Sequence, residues 1–124
     1  ARLPQVCEPL ELVRHADVLL YGIGRAMDLA QRRGLSRAEQ ETLRAEGAVA
    51  EALGFYLNAE GHVVGGGSSL AFKPEDIGRK NRAAAVAAGR AKAEAILAVC
   101  AHHPHKLLVV DEGAALRMLE LLRP

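Results

Sequence analysis

The sequence predicts an α/β fold in three layers: a mainly parallel, Rossmann-like sheet with an inserted β-hairpin. Two observations predict it. Short apolar runs stop at a glycine or an acidic residue and lead into helical spacing: Ala16–Tyr21 before Gly22, Ala83–Ala88 before Gly89, and Lys106–Val110 before Asp111. Such strand–turn–helix units build parallel sheets. Between the first and second units, Asn58-Ala59-Glu60-Gly61 separates two extended stretches, as a hairpin turn does.

Taken in order, Leu10–His15 reads as the end of a helix, and Ala16–Tyr21 as a buried strand. Gly22-Ile23-Gly24 reads as a tight turn. Arg25–Arg33 has helical spacing and is followed by Gly34, a natural residue just past a helix end. Ser36 with Glu39 forms a capping box for a helix reaching Arg44 or Ala45. Phe55 onward is extended and turns into His62-Val63-Val64; Gly65–Ser69 is a loop. Pro74–Ile77 makes one helical turn. Ala83–Ala88 favours helix by propensity, but Gly89 and the helical pattern of Arg90–Ala101 behind it make it a strand. Pro104 breaks the chain, Lys106–Val110 is a strand, and Glu112–Leu122 is the closing helix.

Composition narrows the function. The chain has 124 residues, half of them hydrophobic, no Trp and a formal net charge of +1. That suits one domain, or a large piece of one, with an aliphatic core and no global basic field for nucleic acid. Cys7 and Cys100 lack disulfide or zinc spacing and read as isolated thiols. His102-His103-Pro104-His105 reads as an exposed connector, so no metal is expected, and no cofactor. The longest apolar run is too short for a bilayer. No signal peptide is expected. A cytoplasmic location without membrane contact is expected.

In open parallel sheets, ligands sit beyond the carboxyl ends of the strands. That rule selects Gly22–Arg25, Ala88–Lys92 and Asp111–Gly113. In the second loop, Gly89 allows close backbone approach, and Arg90 and Lys92 fall in the first turn of a helix. Cations there oppose the helix dipole unless an anion is bound. Gly22 and Gly24 lack the third glycine and following acidic residue of a dinucleotide site. Arg32-Arg33 fits either dipole complementarity at a helix end or an arginine fork for phosphate. Glu51, set among apolar residues, either faces solvent or takes a polar ligand, and the sequence alone favours solvent. Asp111-Glu112 fits a helix cap with an acidic first turn, or general acid–base chemistry.

The residues Ala16–Gly24, Ala30–Arg33, Gly47–Tyr56, Ala85–Gly89, Lys92–Ile96 and Val109–Ala115 resemble, in order and spacing, the effector domain of the SorC family of sugar-responsive transcription regulators. The resemblance implies a fold like that of sugar-phosphate isomerases and glucosamine-phosphate deaminases. It implies a regulator rather than an enzyme, a homo-oligomer (dimer or tetramer) and a sugar phosphate effector, fructose 1,6-bisphosphate being typical of the glycolytic subgroup. Arg32 and Lys92 fall on phosphate-contacting positions and Glu51 on a sugar-contacting one. Gly22, Gly24, Gly89, Arg90 and Asp111 complete the expected site. Two departures stand out: Arg90-Ala91 replaces small, often hydroxylated residues, and Ala71 stands where a glycine is usual. The resemblance also implies that residues 1–124 are the carboxy-terminal portion of the effector domain. The first half and the helix-turn-helix that would contact operator DNA then lie outside the chain. The enzymatic alternative is an isomerase or deaminase relative with Asp111 or Glu112 as acid–base.

Overall fold

A computed structural model describes residues 4–67, 82–102, 105 and 107–124. The expected helical turn at Pro74–Ile77, the Ala71 departure and the Pro104 break lie outside those residues. Helix α1 (Pro4–His15) precedes strand β1 (Val18–Gly22). Strand β1 pairs in parallel with β6 (Arg82–Ala87), and β6 with β7 (Leu107–Val110). A second sheet, β2-β3-β4-β5, is antiparallel and comprises Gly24–Arg25, Ala48–Ala52, Phe55–Asn58 and Val63–Gly66. Helices α2 (Ala26–Arg32) and α3 (Arg37–Ala45) join β2 to β3; α4 (Ala93–His102) joins β6 to β7, and α5 (Glu112–Leu122) closes the chain.

The α/β class and the parallel sheet are those expected, but the insertion is larger than a hairpin. Gly22-Ile23-Gly24 is not a simple turn: Gly22 ends β1, and Gly24-Arg25 pairs with Glu51 and Ala50. Gly65 and Gly66 belong to β5 rather than to a loop.

Local chemistry explains the element boundaries. The Ser36 hydroxyl accepts from the Glu39 N–H at 3.1 Å, and Glu39 Oε2 accepts from the Ser36 N–H at 2.7 Å, so two otherwise orphaned donors at the start of α3 are satisfied. The β6 alanines become a strand despite their helix propensity because tertiary packing overrides it. Ala83, Ala85 and Ala87 are buried, and their small side chains sit in one core with Ala95, Ile96, Ala98 and Val99 of α4. Helix α4 also packs on β3, which ties the parallel sheet to the antiparallel one.

Strand β1 alternates in burial: Leu19 and Tyr21 face the core, while Val18 and Leu20 are exposed. Val86, Leu107 and Val109 are exposed as well. Among the described residues, one face of the parallel sheet carries a helix layer and the other is bare, so a third layer is not supplied here. No helix among them is long and apolar enough to cross a membrane. Neither Cys7 nor Cys100 is in a disulfide among the described residues. His105 departs from the exposed connector: it is half-buried, bonded to the Tyr21 hydroxyl, with its Nδ1 3.9 Å from Cys100 Sγ. Burial, and then the neighbouring Cys100, raise the Tyr21 pKa.

Candidate functional site

Because β1, β6 and β7 run parallel, their carboxyl ends lie along one edge. Segments 22–25, 88–92 and 111–113 gather there, and Glu51 joins them through its pairing with Gly24.

Two of these loops are bolted together. The Gly89 N–H donates to both Asp111 carboxylate oxygens, at 3.1 and 3.0 Å, while Oδ1 also accepts from the Ala114 N–H at 2.9 Å. Asp111 is therefore the N-cap of α5 and the clamp of the preceding loop. These backbone donors, Ala114 first and then Gly89, hold its pKa below the ordinary aspartate value. A carboxylate stabilised in its ionised form is poorly disposed to give up or take up a proton near neutrality. Gly89 has φ +107°, a backbone conformation that L side chains rarely adopt, and it leads into a 3₁₀ turn over Arg90–Lys92 before α4.

Glu51 corrects the solvent-facing reading. It is only 6% exposed, the one charged residue in the core among the described residues. A buried carboxylate needs partners. Its Oε1 accepts from Arg33 Nη2 at 2.8 Å and from the Gly54 N–H at 2.8 Å. Its Oε2 lies 3.8 Å from where a Cβ on Gly24 would stand. Burial lowers the Arg33 pKa, but the Glu51 carboxylate and then the Tyr56 hydroxyl outweigh it, and the net direction is upward. That hydroxyl is buried and makes no hydrogen bond of normal length among the described residues.

The cations divide into two groups. Arg25 pairs with Asp28, Arg33 with Glu51, and Arg90 with Glu120 through two contacts of 3.3 and 2.8 Å. Arg90 thus reaches to α5, where Arg117 shares the same carboxylate at 2.9 Å. Arg25, Arg90 and Arg117 line a depression of about 460 Å³ together with Glu94. Arg32, at the end of α2, and Lys92, at the end of the 3₁₀ turn, have no ion-pair partner among the described residues. Arg33 as the partner of Glu51 was not legible in the sequence. The available signal was the carboxylate itself: if Glu51 is buried, some cation must come to it.

The chain belongs to the family of sugar-binding domains found in SorC regulators. The sugar-binding-domain family model matches residues 1–120. The central glycolytic genes regulator of Bacillus subtilis is 40% identical over 116 residues, covering 94% of this chain and 34% of that protein. Its counterpart in Priestia megaterium is 36% identical, covering 90% and 33%. A solved structure described as a SorC family transcriptional regulator from Enterococcus faecalis superposes with a TM-score of 0.88 at 34% identity, over 95% of this chain and 48% of that one. The full-length sorbitol operon regulator SorC from Klebsiella pneumoniae shares the fold, with a TM-score of 0.78 at 20% identity over 94% of this chain and 40% of that one. These relatives are transcriptional regulators rather than enzymes, and the chain spans about a third of the length of the curated ones.

Proposed function

We propose that the chain is the carboxy-terminal part of the sensing domain of a cytoplasmic transcription regulator, and that its ligand is a phosphorylated sugar such as fructose 1,6-bisphosphate. Lys92 and Arg32 hold phosphate, Glu51 takes a sugar hydroxyl, and the backbone around Gly22, Gly24 and Gly89 approaches the ligand closely. Asp111 fixes the Gly89 loop. Arg90 either adds a phosphate contact by leaving Glu120 or stays in its ion pair. The observation that carries the reading is the division of the cations: Arg25, Arg33 and Arg90 are neutralised by carboxylates, while among the described residues Arg32 and Lys92 have no ion-pair partner, and Lys92 follows the Gly89 loop at the edge where such sheets bind ligands. Binding shifts the population of conformers in a homo-oligomer, a dimer or tetramer, and so alters operator affinity through a helix-turn-helix outside this chain.

Titration calorimetry of the full-length regulator with fructose 1,6-bisphosphate tests this. A charge-assisted hydrogen bond to phosphate contributes about 1.5–3 kcal/mol, so Lys92→Ala weakens binding roughly tenfold to a hundredfold. Arg32→Ala has a similar effect. Unchanged affinity in both variants refutes the site.

A further inference from the structure

We propose that Arg33 is a positioning residue: with the Gly54 N–H it fixes Oε1 of Glu51, so that Oε2 is presented toward Gly24 as an acceptor for one ligand hydroxyl. The inference rests on the proposed function, because it gives Glu51 its sugar-contacting role.

The geometry carries it in three steps. Glu51 is buried, so its carboxylate has little water to solvate it and depends on the protein for partners. Both donors it has among the described residues, Arg33 Nη2 and the Gly54 N–H, converge on one oxygen, each at 2.8 Å. Oε2 has no donor among the described residues and lies on the side of Gly24, in β2, next to the Leu29 side chain. An ionised carboxylate oxygen without a donor in a low-dielectric site accepts strongly from any hydroxyl that reaches it. Fixing the other oxygen beforehand removes the rotational freedom that binding would otherwise have to freeze out. Arg33 makes this contact through Nη2 alone, and the Gly54 N–H supplies the second direction that holds Oε1; a planar, rigid guanidinium gives up less freedom in such a contact than a rotating ammonium does. The same engagement separates Arg33 from its neighbour Arg32: the two are adjacent in sequence, yet only Arg33 is turned onto Glu51.

Isothermal titration of the full-length protein with fructose 1,6-bisphosphate and, separately, with inorganic phosphate distinguishes positioning from phosphate binding. Arg33→Ala is expected to weaken fructose 1,6-bisphosphate about tenfold while leaving inorganic phosphate within about twofold. In a Glu51→Gln background, Arg33→Ala is expected to add less than about twofold, because the two residues act as one unit. Equal losses for both ligands, or additive losses in the double variant, overturn the proposal. Arg33→Lys, which keeps the charge and spares the fold, is expected to fall between wild type and Arg33→Ala for the sugar phosphate; affinity at the wild-type level in both variants overturns it. Side-chain couplings measured by NMR without ligand give an independent reading. They should show Glu51 in one rotamer in wild type and averaging over several in Arg33→Lys; a single unchanged rotamer sinks the proposal. If wild type binds the two ligands equally, the sugar-phosphate reading fails, and the NMR comparison still decides whether Arg33 orients Glu51.

Discussion

At the scale of single residues, Asp111 does most to hold the candidate site together. Its carboxylate collects N–H groups from the Gly89 loop and from the first turn of α5, and the fold keeps its pKa below the usual aspartate value. The sign follows from linkage. A depressed carboxyl pKa contributes stability that is present above the unfolded value, near 3.8, and is lost as pH falls through the folded value. Asp111→Asn can still cap α5 but carries no charge. The melting temperatures of wild type and Asp111→Asn should therefore differ at neutral pH and converge under acid. A constant difference across a thermal-melt series from pH 7 to pH 2 would remove the carboxylate from this role.

Tyr56 offers a second residue-scale expectation. Its hydroxyl is buried and makes no hydrogen bond of normal length among the described residues, so its desolvation is offset only by a weaker attraction to Arg33. In the unliganded protein, Tyr56→Phe should leave the melting temperature unchanged or raise it. A fall corresponding to more than about 1 kcal/mol would mean that the hydroxyl has a partner after all.

At the scale of elements, the β4–β5 junction is the tightest point of the antiparallel sheet. Gly66 has φ +79°, and a Cβ there would stand 2.2 Å from the Gly54 carbonyl oxygen. Both backbone strain and a clash with main chain follow, so Gly66→Ala should cost more than the 1–2 kcal/mol or so of the left-handed conformation alone. Urea denaturation measures it; a loss below about 1 kcal/mol would show that the junction yields.

Legibility also varied by element. The capping box of α3, the limits of α5 and the alternation of β1 follow from local chemistry, and the sequence carries them openly. Strand β2 is two residues long and contains a glycine, while β3 reads Ala48-Val49-Ala50-Glu51-Ala52 with little β signal. Strand β3 is packed under α4 and α2, and no sequence period reports that. The site followed the same division. The glycine loops at the carboxyl edge were legible from strand–turn–helix order. The burial of Glu51 was not, because it depends on a register and on an arginine eighteen residues away.

At the scale of the whole molecule, the sheet face that no described element covers weighs most. Val18, Leu20, Val86, Leu107 and Val109 form an exposed aliphatic surface, although parallel sheets ordinarily have both faces covered. The missing part of the sensing domain, under the proposed function, would cover it. The 124-residue chain alone should then bind the dye ANS, and Leu20→Lys with Val109→Lys should reduce that binding without lowering the helix content seen by circular dichroism. Equal dye binding by chain and variant would place the sticky surface elsewhere.

The register between β1 and β6 also has a kinetic consequence. Leu20 lies opposite Ala84, so the two strands meet only after the whole intervening segment, antiparallel sheet included, has been looped back. Closing a flexible loop of that length costs about 4 kcal/mol of chain entropy, and contacts so distant in sequence slow folding. If the antiparallel sheet with α2 and α3 forms first, the loop is already shortened when β1 and β6 meet. Pulsed hydrogen exchange during refolding should then protect Ala50 and Leu57 amides before those of Leu19 and Ala85. The last event of folding would be the one that brings the Gly22 and Gly89 loops side by side, so the binding edge would assemble last.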